Sequence, residues 1–420
     1  MTSAKFITYN GFNYMNKQEI ITKVKDDNIT IIKLIFVDVF GSLKAFEITP
    51  ERLEEALDQK ISIDGSSIKG ISRINDSDRI LAPDLKSFRV LPLFESERFG
   101  GVAILMCDIL NPDGTPTATC TRSNLKKVLA KMKRAGYDTT YLAFEPEFFL
   151  VNKDGSHTDS SGYADDANFD IRREIVHELK RVGIPPLTAH HEVAESQHEV
   201  NFEYGEAVKS CDNLILVRYI IKEVANRNGV VAIFEPKPFE GINGSGLHTN
   251  ISLAKDGKNL FWENNGLSPV AKNFVAGILT HAPALCKLNN PSEGSYRRIG
   301  IIGFEAPNSI CWGFANRTAM IRIPHATEKS SRIEVRSPDS TSNPYLSIAG
   351  ILTAGLSGIK KKLTIDPIEK NIYQLTAAER EKLKIGTLPL TLVDATAEFK
   401  ADEVVKSALT PELVEFILAN

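Results

Sequence analysis

The chain has 420 residues, more than one compact core usually holds, so two domains sharing an interface are expected. With 42% hydrophobic and 25% charged residues and a mean hydropathy of −0.14, the composition excludes disordered, collagen-like and coiled-coil classes. Fifty basic residues against 53 acidic ones leave a net charge of −3, with no cationic excess to neutralise a nucleic-acid backbone. The five cysteines (Cys107, Cys120, Cys211, Cys286, Cys311) are dispersed, odd in number and without a CxxC pair. They fit a reducing compartment and neither a disulfide framework nor a cysteine zinc site. The opening MTSAKFITYNGF lacks the apolar core of a signal peptide, and no run of about 18 apolar residues occurs. A cytoplasmic soluble protein with no membrane or nucleic-acid partner is the expectation.

In chain order, residues 17–27 are predicted helical and IIKLIFVDVF (31–40) is a β-branched run suited to a buried strand. GSLKAFEI follows as its hairpin partner, and PERLEEAL (50–57) opens a short helix with proline in its first turn. NPDGTP (111–116) joins a DG turn signal to two prolines, which places a boundary between a small α+β domain (1–114) and a larger one (115–420). Beyond it, strands are expected at 141–151, 199–203, 230–236, 248–253, 318–324 and 332–336. Helices are expected at 170–183, with Ile171, Ile175, Leu179 and Val182 on one face, and at 213–229, closed by Gly229. There is no internal repeat and no low-complexity segment.

The strands carry an unusual charge pattern. Glu145 and Glu147 share one face of YLAFEPEFFLV while Phe144 and Phe148 take the other. Arg332, Glu334 and Arg336 alternate with Ile333 and Val335, and Glu199 shares a face with Asn201. A polar sheet face in water explains any one strand, but such faces are usually rich in Lys, Thr and Ser rather than Glu, Arg and His. Paired carboxylates repel unless a cation lies between them. An oxygen-rich set with His248 as nitrogen donor suits Mg²⁺ or Mn²⁺ better than zinc. Metals facing several arginines describe a phosphoryl-transfer site. GINGSGLH (241–248) adds a glycine loop whose amides can approach a small ligand. HHEVAESQHEV (190–200) adds Glu192 and Glu199 among three histidines, each of which, taken singly, is better explained as a structural residue.

Taken together, IDGSSI (63–68), FEPEFFL (144–150), HHEVAESQHEVNF (190–202), NGSGLH (243–248), GFEAP (303–307), NRTAMIRIP (316–324) and RIEVRSPD…NPYL (332–346) resemble the glutamine synthetase family in order and spacing, over nearly the whole chain. The resemblance implies an α+β fold: an N-terminal β-grasp domain followed by a catalytic domain whose antiparallel strands form a half-barrel flanked by helices. It also implies ATP-dependent ligation of ammonium to glutamate through a γ-glutamyl phosphate. At least two Mg²⁺ or Mn²⁺ ions per site and a hexameric ring with active sites between subunits follow from it as well.

Carried onto this sequence, Glu147, Glu192 and Glu199 resemble the first metal site and Glu145, His248 and Glu334 the second. Asn243, Gly244 and Arg298 resemble the glutamate-binding residues. Arg317 and Arg336 resemble those steadying the transferred phosphoryl group, and Arg322 and Arg332 those facing the ATP phosphates. Tyr204, Ser252 and Lys329 fall where the family contacts nucleotide. Asp64, reaching across from the neighbouring subunit, and Tyr163 resemble the ammonium site, and Glu305 the flap residue that shields the acyl phosphate from water. The sequence departs from the family pattern at Glu195-Ser196, where Pro-Gly is usual, and at Glu235, where Met is common. It carries one residue more between Arg298 and Glu305. Its carboxy terminus stops short of a segment that ties ring to ring in relatives, so a dodecamer is less secure than a hexamer. A γ-glutamyl ligase using an amine or polyamine, and a catalytically silent relative, are the alternatives. Asp64 and Tyr163 favour ammonium.

Tyr373, in NIYQLTAAE, lacks the acidic and proline context of adenylylated relatives, so the chain resembles the product-inhibited branch. In that branch an arginine nine residues after the ammonium-site aspartate responds to glutamine, and Arg73 stands nine after Asp64. Pairing of Arg73 with Asp76 or Asp78 at the surface is the plainer explanation. If Arg73 is regulatory, millimolar glutamine inhibits the wild type while Arg73→Ala stays active and is markedly less sensitive. Equal inhibition curves would leave Arg73 an ordinary surface residue.

Overall fold

A computed structural model describes residues 15–300 and 306–420. Glu305 therefore lies outside the described residues. The first helix, α1 (Lys17–Asp26), starts at Asn16, whose side chain accepts from the Glu19 N–H while the Glu19 carboxylate accepts from the Asn16 N–H. It buries Ile20, Ile21 and Val24 against a sheet of β1 (Ile29–Val37), β2 (Leu43–Ile48), β3 (Ile61–Asp64), β4 (Asp78–Pro83) and β5 (Gly101–Leu110). The strand order is β2-β1-β5-β4-β3, with β1 and β5 parallel.

Strand β1 explains its own unbroken apolar run. Ile32, Leu34 and Phe36 face the small domain's core, whereas Ile35 and Val37 join the core of the large domain. A strand covered on both faces needs apolar residues at every position. At the end of the β1–β2 turn, Gly41 has φ +85°, and a Cβ there would lie 2.9 Å from the Asn343 backbone. Asn343 donates to the Asp38 and Val39 carbonyls, so only glycine lets the two units close this gap.

The large domain begins with α2 (Thr121–Arg134) and is built on β6 (Thr139–Val151), β7 (Pro186–His191), β8 (Gln197–Phe202), β9 (Leu247–Lys255), β10 (Trp312–Phe314), β11 (Ile321–Ile323) and β12 (Ile333–Val335). These run β10-β11-β12-β9-β6-β8-β7, antiparallel throughout except for the β10–β11 pair. Helix α3 (Phe169–Arg181) packs beside α4 (Ala207–Arg227), which covers one face of β6. Among the described residues no helix is long and apolar enough to cross a membrane.

The sequence places the start of α4 at Asn213, but the helix begins at Ala207. Its first turns are held by tertiary contacts that local pattern does not reveal. The Ser210 hydroxyl donates to the Leu142 carbonyl at 2.9 Å, and Asp212 receives the Arg122 guanidinium on both oxygens at 2.9 Å.

Arg122 is the charged bolt of the domain junction. Buried at 3% exposure, it also reaches Asp84 (2.7 Å) and Asp108 (3.2 Å) from the small domain, while the Tyr345 hydroxyl donates to Asp212 at 2.7 Å. Burial opposes its charge, yet Asp212 and Asp108 hold the guanidinium well above its ordinary pKa. Arg122→Ala leaves these carboxylates without their cation, at a cost of roughly 3–5 kcal/mol. A clearly lowered thermal midpoint is expected; an unchanged one would show that the junction does not depend on this bolt.

Candidate active site

Register, more than any single motif, assembles the site. Glu145 on β6 stands directly opposite His248 on β9, and Glu147 stands opposite Glu199 on β8. Glu199 in turn faces His190 on β7, and Glu334 on β12 faces Arg322 on β11 and Asn250 on β9. Side chains alternate along strands, so these residues share the face opposite α4.

Three overlapping groups result. Donor atoms of Glu145, His248 and Glu334 lie within 4.8 Å of one another, as do those of Glu147, Glu199 and His248, and those of His190, Glu192 and Glu199. The first trio consists of the three residues expected from sequence to hold a second ion. The other site is arranged differently in detail: Glu199 is shared, with Glu147 and Glu192 on either side, and His190 joins it. His190 Nε2 lies 2.9 Å from Glu192 Oε1. Sequence reasoning treated His190 as structural, yet its place two residues before Glu192, at the end of β7, was the available signal. The neighbouring His191 and His198 go the other way, packing ring to ring at 4.7 Å beside Asp159.

The electrostatics show strain that ions would relieve. Burial, then the charges of Glu147, Glu145 and Glu192, push the Glu199 carboxyl up to about 9. Burial also raises Glu147, with His248 and Arg298 only partly offsetting it and Glu192 adding to it. For Glu145 burial acts upward too, but His248, Asn250 and Arg336 outweigh it and bring the carboxyl down to about 2. An oxygen-rich donor set with imidazole, crowded until one member must hold a proton, fits hard divalent cations.

On the far edge, Glu334 is 1% exposed and takes Arg336 Nη1 at 2.5 Å and Arg322 Nη1 on its other oxygen. Arg332 Nε donates to Asn250 Oδ1 at 2.8 Å, and Asn250 Nδ2 donates to Glu145 at 2.8 Å, so a third guanidinium is tied to the metal row. Arg298 is buried, donating to the carbonyls of Ser337 (3.0 Å) and Pro338 (3.3 Å). A Cβ on Gly246 would meet Arg298 Nη2 at 2.8 Å and Glu147 Oε1 at 3.2 Å, so that position must be bare. The Gly246 N–H and Gln197 amide donate to Glu147 (2.8 and 3.2 Å), and Gln197 also donates to the Gly244 carbonyl. Gln197 is thus a positioning residue absent from the sequence-derived set. Asn243 lies half-exposed on the same loop.

Other expected residues lie outside these groups. The Tyr163 ring, 63% exposed, lies edge-on to His190 at 5.5 Å. Tyr204 packs edge-on to Tyr141, whose register partner on β9 is Ser252. Arg317 and Lys329 lie on exposed stretches flanking β11. Asp64 ends β3 in the small domain, and Ser66 and Ser67 hydroxyls and the Ser66 N–H hold its carboxylate below the usual range. Arg73 sits in a tight turn of the same domain, and Asp76 is taken by Arg79 at 2.8 Å instead.

Crowded carboxylates that could hold cations, beside guanidiniums fixed by a shared glutamate, form a site chemically suited to phosphoryl groups. Comparison narrows the class. The family model for the glutamine synthetase catalytic domain matches residues 118–420, and that for the glutamine synthetase beta-Grasp domain matches 28–112. The chain is 42% identical to a glutamine synthetase of Thermus thermophilus over 408 residues, and 43% identical to one of Clostridium saccharobutylicum over 407. Each alignment covers 94% of this chain and 91% of the relative. Among solved structures it resembles a GmaS/ADP complex (TM-score 0.86, 31% identity, 95% and 94% of the two chains). It also resembles the Plasmodium falciparum glutamine synthetase (0.85, 25%, 96% and 95%). The chain belongs to the glutamine synthetase family and is a ligase of that type, in a family that uses ATP and divalent metals.

The Glu199 carboxyl keeps its proton in the folded, metal-free protein up to about 9, against 4.5 ordinarily. Stability of the metal-free protein therefore falls as pH rises through that window. Glu199→Gln should flatten this dependence and also diminish the rise in melting temperature produced by Mn²⁺, leaving the part contributed by the group of Glu145, His248 and Glu334. Thermal scans from pH 5 to pH 9, with and without Mn²⁺, check both halves, and a variant stabilised by Mn²⁺ as much as the wild type would refute the assignment.

Proposed function

We propose that the protein joins ammonium to glutamate at the expense of ATP, giving glutamine, ADP and phosphate through a γ-glutamyl phosphate. The observation that supports this most is the adjacency of the carboxylate row to the Glu334–Arg322–Arg336 fork. A phosphoryl group placed between them meets cations on both sides. Glu147, Glu192, Glu199 and His190 would hold one ion, and Glu145, His248 and Glu334 another, either Mg²⁺ or Mn²⁺. Bound there, such ions neutralise charge developing on the transferred phosphoryl oxygens.

The remaining roles belong to the chain itself. Arg322 and Arg336 are oriented by Glu334 toward the phosphoryl oxygens, and Arg332, braced by Asn250, toward the rest of the triphosphate. Tyr204, Ser252 and Lys329 bind the nucleotide, and Arg317 steadies the transferred phosphoryl group. Asn243, Gly244 and Arg298 take glutamate, whose approach Gly246 keeps open. Glu305 is assigned by the family resemblance to shielding the acyl phosphate from water. Asp64, held anionic by its serine cap, attracts ammonium beside Tyr163 and accepts a proton from it.

Asp64 is exposed on β3, an edge strand of its sheet, which supports donation into a neighbour's site within a hexameric ring. Stacking of rings into a dodecamer is the weaker part of this assembly. The β-grasp unit is taken as 1–114 and the catalytic unit as 115–420. A γ-glutamyl ligase acting on an amine or polyamine is the second reading, because the GmaS chain superposes as well as the glutamine synthetase chain does.

Phosphate release from ATP and glutamate separates these readings. Ammonium should support turnover far better than methylamine or a polyamine, and Asp64→Ala should depress the ammonium reaction while leaving ATP binding nearly intact. Faster turnover with an amine, or an unchanged ammonium dependence in Asp64→Ala, would favour the second reading.

A further inference from the structure

A cavity of about 220 Å³ lies at the domain junction, beside the contact of Gly41 with Asn343. Val39 and Phe40 line it from the small domain. The large domain supplies Lys287 and Leu288 of α5 (Ala282–Asn289), Ser292 at the start of α6 (Glu293–Ile299), Leu346 of α7 (Pro344–Lys361), and Phe416 and Ile417 of α8 (Pro411–Ala419). None of these residues belongs to the carboxylate row or to the arginine fork.

Most of the wall is apolar, with Phe40 and Phe416 meeting edge-on at 5.3 Å. The polar side chains around it are mostly engaged locally. Ser292 accepts from the Ser295 N–H, Thr341 donates to Asp339, and Asn343 accepts from the Tyr345 N–H while donating to the Asp38 and Val39 carbonyls. Asn420 donates to the Phe416 carbonyl. No acidic side chain lines the cavity.

Lys287 is the exception. It is only 5% exposed, it lines the cavity, and its ammonium has no hydrogen-bond or ion-pair partner among the described residues. Burial pushes it below its ordinary pKa, and Glu293 offsets part of that without forming an ion pair. Buried cations are ordinarily paired, because the lost hydration is otherwise uncompensated. The nitrogen is not sealed off, so an anion in the cavity can reach it.

We propose that this cavity is a ligand site, separate from the catalytic row, for a small organic monoanion: a carboxylate carried on a short apolar chain. Lys287 pairs with the carboxylate, and Phe40, Leu346, Phe416 and Ile417 receive the chain. A single cation without other free donors suits one negative charge better than a phosphate dianion. At about 220 Å³ the cavity falls below the roughly 300–1,000 Å³ of drug-sized sites, so the apolar body is short. Thr341 and Asn343 flank the segment whose Ser340 hydroxyl donates to the Gly246 carbonyl at 2.9 Å, and α6 carries Arg298. An occupant would therefore touch two segments that support the glycine loop without entering the catalytic site.

Isothermal titration calorimetry on the full chain tests this with octanoate as the probe. One octanoate per chain is expected. Acetate, which lacks the chain, and octanol, which lacks the charge, should each bind about tenfold or more weakly. Lys287→Met keeps a long unbranched side chain and removes the charge, so it should weaken octanoate about tenfold or more. Its melting temperature should not fall, because an unpaired buried cation is replaced by an apolar group. Saturating glutamate should leave octanoate binding unchanged. Undiminished binding in Lys287→Met, or octanol bound as tightly as octanoate, would overturn the proposal. So would displacement by glutamate, which would place the carboxylate in the substrate pocket, and so would the absence of binding at millimolar octanoate.

Discussion

Mutual repulsion among buried glutamates on one sheet face is the constraint around which this protein is arranged. Glu145, Glu147, Glu192 and Glu199 converge with Glu334 on the same side of the catalytic sheet, and the proton held by Glu199 up to about 9 measures how poorly that arrangement tolerates the absence of cations. A cluster of this kind is kept only where its charge is used. Two devices moderate it within the chain. Arg322 and Arg336 fork onto Glu334, and Asn250 bridges Arg332 to Glu145, so the repulsive row is anchored at its arginine edge. The same anchoring fixes where the guanidiniums point. Preorganised charge of this sort lowers a phosphoryl-transfer barrier without reorganisation at the moment of reaction.

Precise register requires a stiff support, and the domain junction supplies part of it. Strand β1 contributes alternate residues to two cores, Gly41 permits backbone contact with Asn343, and Arg122 ties Asp84 and Asp108 to Asp212. Asp212 and Ser210 lie on the first turns of α4, which cover the reverse side of β6. The small domain is therefore coupled through α4 to the strand bearing Glu145 and Glu147.

The nitrogen donor is a finer matter than the fold. A GmaS complex and a glutamine synthetase superpose on this chain with TM-scores of 0.86 and 0.85, so the backbone does not discriminate between them. In the proposed reaction, selection among small amines would fall to a few side chains, Tyr163 beside His190 and Asp64 exposed on the edge strand of the small domain. A compact anionic pocket favours a small cation over a bulky one by Coulomb attraction and steric exclusion together.

Much of this was legible in the sequence because it rests on local periodicity. Alternation placed Glu145 and Glu147 on one face of a strand, and Glu334 between two arginines. The apolar run of β1 announced burial on both faces, and the joint order of seven motifs announced the family. Which carboxylate meets which was not legible, because register is decided by pairing partners far away in the chain, as Glu145 with His248 and Glu147 with Glu199, not by neighbours in sequence. Hence the sharing of Glu199, the recruitment of His190 and the bracing by Asn250 and Gln197 emerged only from the tertiary structure. The early start of α4 belongs to the same category: its first turns carry Ser210 and Asp212, weak helix formers whose side chains are satisfied by the Leu142 carbonyl and by Arg122. The sequence by itself determined the residue types, the strand faces and the family. Tertiary structure alone decided how closely the like charges approach, and therefore where cations are required, because Coulomb energy depends on distances that only the folded register sets.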